Sequence, residues 1–252
     1  MKDHMNYMDI EGILAIVEGV RSAVSDDIRE DVLRNNLETQ NSLPSRIWDF
    51  INTNLIKITG SNGLHSYKFR RGPWDMVYIY DSSTGFLFTL MREKRFSELK
   101  SNIMKRKKPH YIDIFARSFN NKLKAGEEQT MLYEKEFKDE DDFSKAAEKI
   151  IRDLQGGVDV VKNHVLILFE TAGFNLISIR AVMITPSLDI AEASEENWSK
   201  YISSNESLIV EKVESRDINY NNCGLKLSVK ALARKTNNIK AKEFTVKKKE
   251  NV

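Results

Sequence analysis

The sequence predicts an α+β protein: a helical N-terminal part followed by two β-hairpin-bearing segments with intervening helices. Three observations carry that prediction. Apolar residues recur at helical spacing from Ile10 to Ile58. Turn-forming residues at Asp81–Gly85 and Thr171–Gly173 each separate two runs that suit strands. The run His164–Phe169 is continuously apolar, as in a strand buried on both faces.

The first helix carries Ile10, Ile13, Leu14, Val17, Val20 and Val24 on one stripe, with Glu11, Glu18 and Arg21 beside it. Ser25, followed by Asp26 and Asp27, reads as a cap opening a second helix, since first-turn carboxylates suit the helix dipole. A third helix starts at Pro44, where a missing N–H costs nothing, and turns Ile47, Phe50, Ile51, Leu55 and Ile58 inward. Gly60 and Gly63 end it.

The period then changes. Trp74–Tyr80 and Phe86–Met91 read as a hairpin that runs into a helix over 92–104. Pro109 breaks the basic stretch that follows, and a further helix over 110–124 places Ile112, Phe115, Phe119 and Leu123 on one face before Gly126. An acidic linker, 127–142, leads to a helix carrying Phe143, Ala147, Ile150, Ile151 and Leu154. His164–Phe169 and Asn175–Thr185 form the central hairpin of a sheet, closed by Pro186, with a helix around Trp198 and Tyr201 beyond it. Leu225–Leu232 suits a late edge strand, and the basic, polar residues from Lys235 onward read as a mobile tail. The organisation expected is a helical part over 1–60, an α+β core over 61–234 and a basic tail over 235–252.

Composition excludes several classes of function. At 252 residues, 41% hydrophobic and 30% charged, the chain is long enough for a real core and is not broadly disordered. A single cysteine excludes a disulfide framework and any multi-cysteine metal site. There is no run of 18 apolar residues and no apolar segment behind a basic start, which points to an untargeted cytoplasmic protein without a membrane partner.

Charge is segregated although the net is only +2. Residues 92–108 hold eight bases (Arg92, Lys94, Arg95, Lys100, Lys105, Arg106, Lys107, Lys108) against Glu93 and Glu98. Arg70 and Arg71 lie just upstream, beside Trp74, and His110 and Tyr111 just downstream. Residues 126–160 hold eleven acids against five bases, whereas 216–252 hold ten bases against three acids. Clustered lysines and arginines displace condensed counterions from nucleic acid, and neighbouring aromatics offer stacking faces for unpaired bases. These residues together are the expected nucleic-acid-binding surface. The plainer alternative is a solvated helix face balanced by the chain's own acidic block.

Motifs for chemistry are sparse. His4, His65, His110 and His164 form no ligand pair at helical spacing, and His164, heading an apolar strand, reads as a hydrogen-bonded core histidine. Cys223 has no CxxC partner. No phosphate-binding glycine loop or nucleophile elbow occurs, so no cofactor is expected. A metal-dependent nuclease needs an acid on one strand, then an acid and a lysine two apart on the next. Asp75 or Asp81 with Glu93 has that order, but Arg95 stands where lysine is expected; Asp159 with Glu170 is broken by Ala172. The balance points away from an enzyme.

The most distinctive text is Trp74-Asp75, Tyr80-Asp81, Gly85 to Phe96 (GFLFTLMREKRF) and His110-Tyr111-Ile112-Asp113. It resembles a family of uncharacterised bacterial proteins, a domain of unknown function met mainly in low-GC Gram-positive genomes and their mobile elements, over about residues 45–200. The resemblance implies a bacterial cytosolic protein in a prophage or defence setting and names no catalytic residue. Expected function is therefore a non-catalytic nucleic-acid-binding or regulatory protein, with DNA or RNA as partner. The alternatives are a protein-binding module (an antitoxin, inhibitor or defence adaptor) and, less favoured, the nuclease. Self-association is compatible with each.

Overall fold

A computed structural model of the chain describes residues 6–59, 63–71, 74–125 and 161–202, with isolated helical positions between 144 and 152. All belong to one unit, Met1–Ser204; a second unit, Asn205–Val252, lies outside the described residues, as do the acidic linker, the expected late edge strand and the basic tail.

The chain opens with α1 (Ile10–Ser22) and α2 (Ile28–Asn35), then α3 (Leu43–Ile58). Strands β1 (Leu64–Arg71), β2 (Trp74–Asp81) and β3 (Phe86–Arg92) follow, then α4 (Glu93–Ser101) and α5 (Tyr111–Phe119). The sheet is completed by β4 (Asn163–Ala172), β5 (Asn175–Val182) and the short β6 (Glu196–Asn197). Strand order is β1-β2-β3-β4-β5-β6, antiparallel throughout except for the parallel pair β3–β4. A parallel pair requires a long crossover, and α4 and α5 lie in it.

Period-two alternation along the central strands builds two cores. Val77, Ile79, Phe88, Leu90, Val165, Ile167 and Phe169 face the N-terminal helices, where Ile13, Ile16, Val17, Val20, Ile51 and Leu55 meet them. Tyr78, Tyr80, Leu87, Met91, Leu166 and Leu168 face the other way, against Phe96, Leu99, Ile112 and Phe115 of α4 and α5. The result is a helix–sheet–helix sandwich with β3 and β4 at its centre. No helix among the described residues is long and apolar enough to cross a membrane.

Turn chemistry follows the residues. Asp81 Oδ1 accepts from the Ser83 amide at 2.8 Å and the Ser83 hydroxyl at 2.6 Å, and Gly85 closes the β2–β3 turn at φ +76°. Gly173 does the same for β4–β5 at φ +57°.

Several elements differ from the sequence reading. Ser25 opens no new helix: α1 continues through a π-helical turn, Ala23–Asp27, in which the Ser25 hydroxyl donates back to the Arg21 carbonyl at 2.7 Å. The carboxylates expected to cap are used elsewhere, Asp26 by Arg21 and Asp27 by Asn54. Helix α5 stops at Phe119 rather than near Lys124, because the Asn120 amide turns into the sheet. It donates to the His164 and Ile184 carbonyls at 2.8 and 3.0 Å and accepts from the His164 amide at 2.9 Å. Trp198 sits in no α-helix; its N–H bonds to the Ile179 carbonyl at 3.0 Å, after the two residues of β6 and before a 3-10 turn, Ser199–Tyr201. Strand β1, not anticipated at all, pairs with β2 along its whole length.

Candidate functional site

Strands β2 and β3 are paired over only three rows, Ile79–Phe88, Tyr80–Leu87 and Asp81–Phe86. Beyond them the first residues of β2 and the last of β3 are not partners. There the side chain of Asn52, from α3, serves the β2 backbone instead: its amide donates to the Asp75 carbonyl at 3.4 Å and its oxygen accepts from the Val77 amide at 3.3 Å. A cleft of about 440 Å³ opens at this divergence.

Its walls come from five elements. Trp74, Asp75 and Met76 begin β2; Leu90, Met91 and Arg92 end β3. Pro44 and Trp48 belong to the first turns of α3, Arg95 to the first turn of α4, and His110 and Tyr111 to the start of α5. Three helices thus contribute residues of their first turns to one hollow.

Two arginines face this cleft, and their settings differ. Arg92 is half-buried and held, with Nη1 donating to the Thr171 hydroxyl at 3.0 Å and the guanidinium 5.6 Å from the centre of the Phe169 ring. Trp48 lies edge-on to the same ring, with centroids 5.6 Å apart. Arg95 is exposed and lies 3.2 Å from Glu98 on its own helix. Trp74 is 61% exposed, an indole with little to pack against. The acidic member of the wall, Asp75, is 2.9 Å from Lys68.

The floor at α5 is fixed by a buried hub. His110 caps the helix: its Nδ1 accepts from the Ile112 amide at 3.4 Å, and its own amide donates to Asp113 Oδ2 at 2.7 Å. Asp113 also receives Arg106 Nη2 at 2.8 Å. At α4, Glu93 is drawn away by Arg180 at 2.6 Å. Burial works against the Arg180 charge, but its bonds to Glu93 and Glu195 more than offset that and raise its hold on the proton.

Five of the residues expected from sequence therefore meet in one place: Trp74, Arg92, Arg95, His110 and Tyr111. Arg70 is exposed on β1, in register with Asp75, and Arg71 pairs with Trp74 on the same ladder. Lys94 is exposed between the two cleft arginines, and Lys105, Lys107 and Lys108 are exposed on the segment that leads into His110. Two expected residues do not join an open surface. Lys100 pairs with the buried Asp189 at 2.9 Å, and Arg106 is consumed by Asp113. These cations balance interior carboxylates, a role that their place in a basic run does not reveal.

Pro44, Trp48, Met76, Leu90 and Met91 are cleft residues that sequence reasoning missed; Pro44 reads only as a helix start, and the others carry the ordinary signal of apolar packing positions. Three carboxylates considered for a nuclease have other engagements, Asp75 with Lys68, Asp81 with its own turn and Glu93 with Arg180, and Asp159 lies outside the described residues. Among the described residues, no three His, Cys, Asp or Glu side chains gather as a metal would need. His164 is fully buried in the α5-facing core, with Nε2 2.8 Å from the Thr89 hydroxyl.

A family model described as a family of unknown function (DUF5986) matches residues 2–248. No curated protein and no solved structure matches the chain.

Proposed function

The chain belongs to DUF5986, a family of unknown function, and from its surface we propose that it is a non-catalytic protein that binds unpaired DNA or RNA. One observation carries the reading: an exposed tryptophan, Trp74, and two arginines, Arg92 and Arg95, line a single cleft. Single-strand binders combine cationic surface along the backbone with aromatic faces on which bases stack. Here Lys94, Lys105, Lys107 and Lys108 supply exposed charge in segments contiguous with the cleft residues. Duplex DNA offers no free base face to Trp74, so unpaired strands are the expected ligand.

The test is fluorescence anisotropy of labelled single-stranded DNA, single-stranded RNA and duplex DNA, titrated with the full chain at low and moderate salt. Expected is saturable binding of the single strands that weakens steeply as salt rises. No binding of any strand at low salt overturns the reading. A stoichiometric complex with a protein, in the absence of strand binding, would then replace it by the protein-binding module.

A further inference from the structure

Resting on that reading, we infer that the cleft between β2 and β3 is a subsite for a single nucleotide, taking the base on Trp74 and its phosphate on Arg92 and Arg95. Size is the first argument. A hollow of about 440 Å³ lies within the range of small-ligand pockets, roughly 300–1,000 Å³, the size class to which a single nucleotide belongs.

Polarity within the cleft is the second. Arg92 is fixed before any ligand arrives, by the Thr171 hydroxyl and the Phe169 ring, so little side-chain freedom is lost when it engages an anion. Arg95 adds a second cation to the lining. Asp75, next to Trp74, is the acidic member of the lining and repels a phosphate from its own part of the cleft, and Lys68 only partly offsets it because the pair is exposed. The two arginines thus draw the phosphate, and Trp74 offers the base a stacking face. Pro44, Met76, Leu90 and Met91 give the base an apolar bed. Stacking on Trp74 is tolerant of sequence, since every base has a π-face.

The nucleotide has two sources, a free nucleoside monophosphate or a residue of a strand, and the experiment separates them. Calorimetric titrations of the full chain use AMP, adenosine and inorganic phosphate, followed by AMP competition against a labelled single strand. The inference expects AMP to bind, adenosine and phosphate to bind at least about tenfold more weakly, and AMP to displace the strand. Arg95→Gln and Trp74→Ala are the variants of choice because both side chains are exposed, and each should weaken AMP about tenfold. Trp74→Phe, which keeps a stacking face, should recover part of that loss.

Phosphate binding as tightly as AMP overturns the inference and leaves a simple anion site. Strand binding that AMP does not displace, and that Arg95→Gln and Trp74→Ala leave intact, overturns the subsite while the nucleic-acid reading stands. AMP binding without strand binding supports the subsite as one for a free nucleotide and removes the nucleic-acid reading.

Discussion

Arg106 grips Asp113 through both terminal nitrogens of its guanidinium, and Asp113 is 1% exposed. The same carboxylate caps α5 through the His110 amide, so one ion pair fixes the segment that places His110 and Tyr111 in the cleft wall. Arg106 thereby differs in kind from Lys105, Lys107 and Lys108, which flank it and are exposed. Removing it strands a buried carboxylate, at a cost of about 3–5 kcal/mol. Arg106→Ala should lower the urea midpoint accordingly, whereas each neighbouring lysine changed to alanine should stay within about 0.5 kcal/mol of the parent. Equal effects along the run would show that Arg106 is not the anchor.

Reversing the exposed lysines tests the surface without disturbing that anchor. The triple variant Lys105→Glu, Lys107→Glu, Lys108→Glu should weaken single-strand binding at low salt and keep the parent's thermal midpoint. Each phosphate contact contributes a slope of about −0.7 in log K against log salt for single strands. Losing three contacts should therefore flatten the slope by about 2. An unchanged slope would make this run a solvated face, and any binding would have to be centred elsewhere.

The two tryptophans of the cleft should separate stability from affinity. Trp74 is mostly exposed, so Trp74→Ala should change stability by no more than about 0.5 kcal/mol and cost about 1–3 kcal/mol of single-strand affinity. Trp48 packs edge-on against Phe169 and adjoins the N-terminal core. Its truncation removes a shared core contact and should cost about 2 kcal/mol of stability. Urea unfolding and anisotropy on the same two variants check both halves; a destabilised Trp74→Ala would place that indole in the core.

These contrasts also mark what the residues disclosed. The strand run from His164 to Phe169 was legible because a strand covered on both faces must be apolar at every position, and its residues do divide between the two cores. The helix beginning near His110 was legible through the break at Pro109 and the apolar face of Ile112, Phe115 and Phe119. Strand β1 was not read: Tyr67 and Phe69 alternate with Ser66, Lys68 and Arg70 and pack in one core, but that stripe is only two residues long and the buried Leu64 belongs to the other core. The basic run around 92–108 was visible, and its division into interior and exposed cations was not, because Asp113 and Asp189 act through tertiary contacts. Nor was the cleft, which opens where β2 and β3 part after three rows and the Asn52 side chain, from α3, bonds the β2 backbone.

His164 gives the interior a dependence on pH whose sign follows from its setting. The ring is fully buried beside Phe115, Nε2 bonds Thr89, and Nδ1 has no hydrogen-bond partner. A bare lone pair at Nδ1 costs less than an orphaned N–H, so the neutral ring donates from Nε2 to the threonine hydroxyl. Burial lowers the imidazole from its ordinary 6.5 to about 3. Between those values the unfolded chain holds a proton that the folded chain refuses, so acid favours unfolding. Stability from this group is complete above pH 6.5 and falls toward pH 3, with a limiting slope of about 1.4 kcal/mol per pH unit. Carboxylates contribute their own slope in the same range, so the informative quantity is a difference. Urea unfolding of the parent and of His164→Gln across pH 7 to 4 should show the parent losing stability more steeply below pH 6, by close to one proton. Parallel curves would mean that His164 takes up its proton in the folded state, and that the Thr89 contact is made by a charged ring.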